Sequence, residues 1–196
     1  MEAKAPAPAQ SENNYYCAMK NEKPFPLAYI ITYRTYATWL HGDARTSVDR
    51  NHNTFLTPRI KENSFRYKAM QTQCSENPFL MNGPQRKIVL QSIIKTCELA
   101  QWYLYAAHIR TNHTHVIVKA FKAPEKVAVS LKAYATRDLK LNFPELNRKH
   151  FWAKGESTGY IFQSENLFRA IQYAIHEQGR EMAFYCDPEY IEVIQH

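Results

Sequence analysis

The sequence has no paired cysteines. Cys17, Cys74, Cys97 and Cys186 lie far apart, with no CxxC between any two of them. That spacing argues against both a disulfide framework and a zinc ribbon, and free thiols suit a reducing compartment. No apolar run approaches the length needed to cross a bilayer. The opening MEAKAPAPAQSENN carries no apolar signal region, so a cytoplasmic location is expected, with no membrane partner. No internal repeat is visible.

What is present points to a folded domain. With 196 residues, 45% hydrophobic and 13% aromatic, the chain is long enough for a real core and too apolar to be disordered throughout. The expected layout is a disordered Pro/Ala-rich tail over 1–24, one domain over 25–182 with a long inserted loop at about 41–84, and a C-terminal extension over 183–196. A formal charge of +7, spread along a chain rich in Tyr, Trp and Phe, permits phosphate contacts and base stacking without requiring either.

Periodicity predicts the elements. FPLAYIITYRTYATWL (25–40) alternates as a first strand, with Ala28, Ile30, Thr32 and Arg34 on one face and Leu27, Tyr29, Ile31 and Tyr33 on the other. QRKIVLQSIIKTCELAQ (85–101) is an amphipathic helix entered at Pro84, and APEKVAVSLKAYATRDLKLNF (123–143) a second one with Pro124 near its start. Between them WYLYAAHI and HTHVIVKAF read as two strands joined by a tight RTN connection, an antiparallel hairpin. A short fourth strand lies within FWAKGESTGYIFQS. SENLFRAIQYAIHEQG (164–179) is a third helix, with Ser164 as N-cap and Gly179 as its stop. The order strand, helix, hairpin, helix, strand, helix predicts an α+β fold, a ferredoxin-like antiparallel sheet with helices packed on it.

The chemistry-bearing feature is HIRTNHTHVIVKA (108–120). His113 and His115 sit two apart at the head of a β-branched run, so both imidazoles project from one face of the sheet, close enough to share a cation. An HxH pair alone is more often a polar strand start. His108 lies on the neighbouring strand, and nothing in its spacing makes it a ligand.

TNHTHVIV followed by QYAIHEQG on the last helix resembles the single-tyrosine transposases of the HUH superfamily, the IS200-like and REP-associated tyrosine transposases. TYRTYATWLHGDARTSVDRNHN (32–53) and WAKGESTGY (152–160) are similar to segments of the same family, and the resemblance covers roughly residues 25–180. It implies a bacterial, nucleoid-associated transposase: a metal-dependent endonuclease and strand-transferase for single-stranded DNA with hairpins. Tyr173 would attack phosphorus and form a 5′-phosphotyrosine. His113 and His115 would bind Mg2+ or Mn2+, with an oxygen ligand from a glutamine on the tyrosine helix, because hard cations prefer oxygen. A homodimer and a monomer are both compatible with it.

Carried over residue by residue, Tyr173 gains support from the helical wheel, where it falls nearly opposite the apolar arc of Leu167, Phe168, Ile171, Ala174 and Ile175. A phenol with a pKa of about 10 needs help to act at neutral pH, and His176 is a candidate helper. Gln178 stands five residues after Tyr173, about 140° away on a regular helix, whereas Glu177 holds the four-residue spacing. Gln178 is the first choice for the third ligand and Glu177 the second, since Gly179 can end the helix at Gln178 and release the register. Arg34, Trp39, His41, Arg45, Arg110 and Lys154 are the candidate DNA contacts. For Trp39 and His41 the equal alternative is a core tryptophan and a plain turn, and for the cations a solvated surface. Trp102 and Trp152 read as core or loop anchors. The alternative function is a domesticated hairpin-binding protein whose cleavage is lost or altered. An unrelated two-histidine hydrolase is weaker, since Ile117 stands where HxHxD would place a carboxylate.

Overall fold

The computed structural model describes residues 25–40 and 63–194. Five strands form one sheet: β1 (Ala28–Arg34), β2 (Tyr103–Ile109), β3 (His113–Lys119), β4 (Ser157–Ile161) and β5 (Ala183–Cys186). Their order is β4-β1-β3-β2-β5, and every neighbouring pair is antiparallel. The first four strands have the ferredoxin-like order, with β5 added at one edge. The described helices are α1 (Ser64–Thr72), α2 (Gly83–Leu99), α3 (Pro124–Asn142), α4 (Ser164–Ile175) and α5 (Pro188–Ile194).

Local chemistry sets several of these boundaries. Asn82 starts α2 through a reciprocal capping box: its side chain accepts from Gln85 N–H at 2.9 Å, and the Gln85 side-chain oxygen Oε1 accepts from Asn82 N–H at 3.0 Å. The β2–β3 hairpin closes with Arg110 N–H donating to His113 O at 2.8 Å, leaving Thr111 and Asn112 at the tip. Both tip carbonyls are used, Thr111 O by Met81 N–H and Asn112 O by Thr35 N–H. The head of β3 is therefore anchored from three directions.

Strand alternation divides the interior in two. Tyr29, Ile31, Tyr33, Val116 and Val118 face α2 and α3, meeting Val89, Ile93, Leu131 and Leu139 in the larger core. Ala28, Ile117, Ile161 and Cys186 face α4, meeting Leu167, Ile171, Ala174 and Ile175. A bulge between Leu104 and Ala106 shifts the alternation of β2, so Leu104 and Ala107 join the larger core while Ala106 turns towards α4. His108, two residues beyond Ala106 and paired with His115, follows to the α4 side.

Three expectations need correction. The stretch 41–84 is not all loop: 64–72 is helical, and α2 begins at Gly83. No residue of α1 is buried, so it has no apolar stripe for the sequence to display. Residues 183–194 are not an appendage, because β5 pairs with β2 over Ala106–Ile109 and the domain runs past 182. Finally, α4 ends at Ile175, and its N-cap is Gln163 without a side-chain bond rather than Ser164. Gly179, at φ +77°, belongs to the turn beyond the helix.

Candidate active site

Side chains at i and i+2 of β3 share a face, so His113 and His115 leave the sheet together, 4.8 Å between ring centroids. They emerge beside the C-terminal end of α4, which the smaller core holds flat on the sheet. Tyr173 is on the opposite side of the helix from Ala174 and Ile175 but close to its edge. The residue is 43% exposed, and its ring stands edge-on to His115 at 5.5 Å. The outward tyrosine expected from the wheel thus lies against His115 of the pair.

Each imidazole is oriented by a neighbour. His113 Nδ1–H donates to Asn112 Oδ1 at 2.8 Å. His115 Nδ1 meets the Thr32 hydroxyl at 2.8 Å, and Thr32 lies directly across from it on β1. At the other edge of the ring, His115 Nε2 meets Gln178 Oε1 at 3.2 Å. The Gln178 amide N–H donates to the Tyr173 carbonyl at 3.1 Å, which turns its oxygen towards the histidine. An oxygen there requires His115 to donate from Nε2 and to accept from the Thr32 hydroxyl at Nδ1.

Burial holds both histidines neutral. It is the main cause of their depressed pKa values, about 4 for His113 and about 3 for His115. Arg110 then pushes His113 down further, and His113 does the same to His115, while Gln178 opposes the shift in each. Neutral imidazole is the form that ligates metals.

The five-residue spacing from Tyr173 to Gln178 resolves because α4 stops at Ile175. Beyond it the backbone turns, and Gln178 folds back over the helix end to reach His115. Glu177 is exposed, and among the described residues no group of three His, Cys, Asp or Glu side chains comes together. A centre built here would therefore consist of His113, His115 and the Gln178 carbonyl. The donor set suits a divalent ion: two neutral imidazoles whose Nδ1 atoms are engaged by Asn112 and Thr32, and one oxygen already aimed at an Nε2. If the Thr32 hydroxyl turns to accept from Nδ1–H, the Nε2 lone pair of His115 becomes free.

The remaining candidates divide. Arg34 pairs with His113 across β1 and β3, and its guanidinium lies 4.2 Å over the Trp39 ring. Trp39 is half-buried at the end of β1, not in the core. Arg110 is committed to the fold, donating to the Arg180 carbonyl. Lys154 is exposed, next to Ala153, whose N–H donates to Arg34 O. His41 and Arg45 lie outside the described residues. His176 faces Glu181 at 3.7 Å. Trp152 is an anchor as expected: its indole N–H meets Lys132 O and Thr136 Oγ1, and its ring stands edge-on to Tyr33. Trp102 packs against the larger core. Sequence reasoning missed Thr32 and Asn112. Asn112 was visible as the residue before His113, but the role of Thr32 depends on strand register.

The architecture is an α+β antiparallel sheet with helices packed on it, and a family match says which class of protein uses it here. The chain belongs to the family described as transposase IS200 like, which it matches over residues 62–173, more than half its length and ending at Tyr173. No curated protein matches it. Among solved structures it is similar to a REP-associated tyrosine transposase bound to a REP hairpin, at TM-score 0.42 and 11% identity over 80% of this chain and 71% of that one. It is also similar to a candidate transposase from Deinococcus radiodurans R1, at TM-score 0.41 and 13% identity over 82% and 95%. Among the described residues no helix is long and apolar enough to cross a membrane.

Proposed function

We propose that the chain is a metal-dependent single-strand DNA endonuclease and strand-transferase with Tyr173 as nucleophile. The observation that carries this reading is the convergence of Tyr173, His113, His115 and Gln178 at one end of α4, within a single chain. The phenol oxygen attacks phosphorus, the P–O tyrosyl bond forms, and the bond to the 3′ oxygen breaks. The phenol loses its proton and the departing 3′ oxygen gains one. One phosphodiester replaces another, so rejoining needs no external energy source. A divalent ion, Mg2+ or Mn2+, held by His113, His115 and Gln178 would polarise the scissile phosphate and spread its growing charge.

The substrate we infer is single-stranded DNA folded into hairpins. Arg34 and Lys154, at the same end of the sheet as His113, are the phosphate contacts we favour, and Trp39 is the base platform. The test is a covalent-adduct assay with labelled hairpin DNA from around the protein's own gene, run with Mn2+ or Mg2+ on a denaturing gel. An ion-dependent adduct that disappears in both Tyr173→Phe and His115→Ala supports the proposal. An adduct that survives Tyr173→Phe moves the nucleophile elsewhere. Hairpin retention without any adduct makes the protein a binding module.

A further inference from the structure

His108 is the third histidine on this face and takes no part in the proposed chemistry. It is fully buried and uses both ring nitrogens. Nδ1–H donates to Ala174 O at 2.7 Å, and Nε2 accepts from Met182 N–H at 3.2 Å. Ala174 is in the last turn of α4, where carbonyls have no intrahelical partner. Met182 immediately precedes β5. One rigid ring therefore joins the end of the tyrosine helix to the start of the next strand, bridging the seven residues 175–181 between its two partners, Gln178 among them. Arg110, two residues after His108 and just past the end of β2, holds the same loop through Arg180 O. Gly179 permits the turn, holding φ +77°, a backbone conformation that L side chains rarely adopt.

Two of the last-turn carbonyls are capped from different sides. Tyr173 O takes the Gln178 amide, and Ala174 O takes His108. The cap that aims the Gln178 oxygen at His115 is thus adjacent to the one His108 supplies. We propose that His108 is a positioning residue: by clasping Ala174 and Met182 it closes the loop into the one path that brings Gln178 to His115. His108 is itself the cross-strand partner of His115, so a single β2–β3 register sets both the ligand and its clasp. This role rests on reading His113, His115 and Gln178 as a metal centre.

The experiment titrates full-length protein with Mn2+ and follows free ion by electron paramagnetic resonance, with no DNA present. Amide exchange over 175–182 is measured alongside. The variants are His115→Ala, Gln178→Ala, His108→Ala, His108→Asn and His108→Ala/Gln178→Ala. Loss of a residue that orients a metal ligand costs on the order of 10–100-fold in metal affinity. His108→Ala is expected to fall in that range and match Gln178→Ala. The double variant should lose no more than either single one, because both remove the same oxygen. His108→Asn keeps a donor near Ala174 O and should fall between wild type and His108→Ala. It also decides the matter if the alanine variant does not fold.

Wild-type affinity in either His108 variant, or losses that multiply in the double variant, would overturn the proposal. If wild type binds no manganese that His115→Ala abolishes, the metal reading itself fails. Amide exchange then decides the clasp alone: faster exchange confined to 175–182 in the His108 variants supports it, and unchanged exchange sinks it.

Discussion

The two faces of the sheet are built from the same strands and do different work. On one, α2 and α3 seal a continuous apolar layer that includes Ile31, Val116, Val118, Ile93 and Leu131, each wholly buried. On the other, α4 buries Ile117, Ile171 and Ala174, with Tyr190 of α5 packed beside them, and at the C-terminal end of α4 apolar packing gives way to His108, His113 and His115. Among the described residues this face has the thinner cover. At the end of α4 polar side chains are buried enough to become neutral. The larger core supplies rigidity, and the thinner face carries the candidate site.

The sharpest way to break this comparison is at the thin face. Tyr173→Phe should eliminate the covalent adduct while leaving the thermal unfolding midpoint unchanged. His115→Ala should reduce strand cleavage by about a hundredfold or more, since a bound ion supplies several kcal/mol of transition-state stabilisation. A hairpin-nicking time course checks both. A His115→Ala variant that nicks at the wild-type rate would remove the face's functional meaning.

Leu131→Ala, in the larger core, should cost about 2–5 kcal/mol in urea unfolding yet leave nicking per folded molecule unchanged. Ile171→Ala should cost a similar amount and also slow nicking, because α4 carries Tyr173. Equal effects of the two variants on nicking would erase the distinction.

The two faces should also differ in acid. His113 and His115 have folded-state pKa values of about 4 and about 3, below the unfolded value of about 6.5. Between those limits the unfolded chain binds more protons, so stability is complete above about pH 6.5 and is lost as pH falls towards 4 and 3. Urea midpoints measured from pH 7.5 down to 4 should fall, and fall less in His113→Gln/His115→Gln. A double variant as acid-sensitive as wild type would place the titration elsewhere. The smallest effect is expected at Lys154→Ala: modestly weaker hairpin retention, with the salt dependence of binding reduced by about one phosphate contact.

Much of this was legible from local pattern. Alternation in 28–34 assigned both faces of β1, and the apolar arc of α4 turned Tyr173 outward. The HxH spacing placed two imidazoles side by side. Other features had no local signature. α1 buries nothing, so it shows no stripe, and β5 has only four residues, half-exposed and at a sheet edge. The bulge at Leu104/Ala106 hid His108, because uninterrupted alternation from Leu104 would have sent it into the larger core.

By itself the sequence determined the order of β1, α2, the β2–β3 hairpin, α3, β4 and α4, the shared face of His113 and His115, and the outward side of Tyr173, since each follows from the repeat of a strand or a helix. The tertiary structure alone decided where α4 ends, that Gln178 and not Glu177 turns back to His115, and that Thr32, Asn112 and His108 hold the arrangement. Those outcomes depend on contacts between residues far apart in the chain. His108 meets Ala174 across 66 positions and Thr32 meets His115 across 83, and no local repeat encodes such pairs.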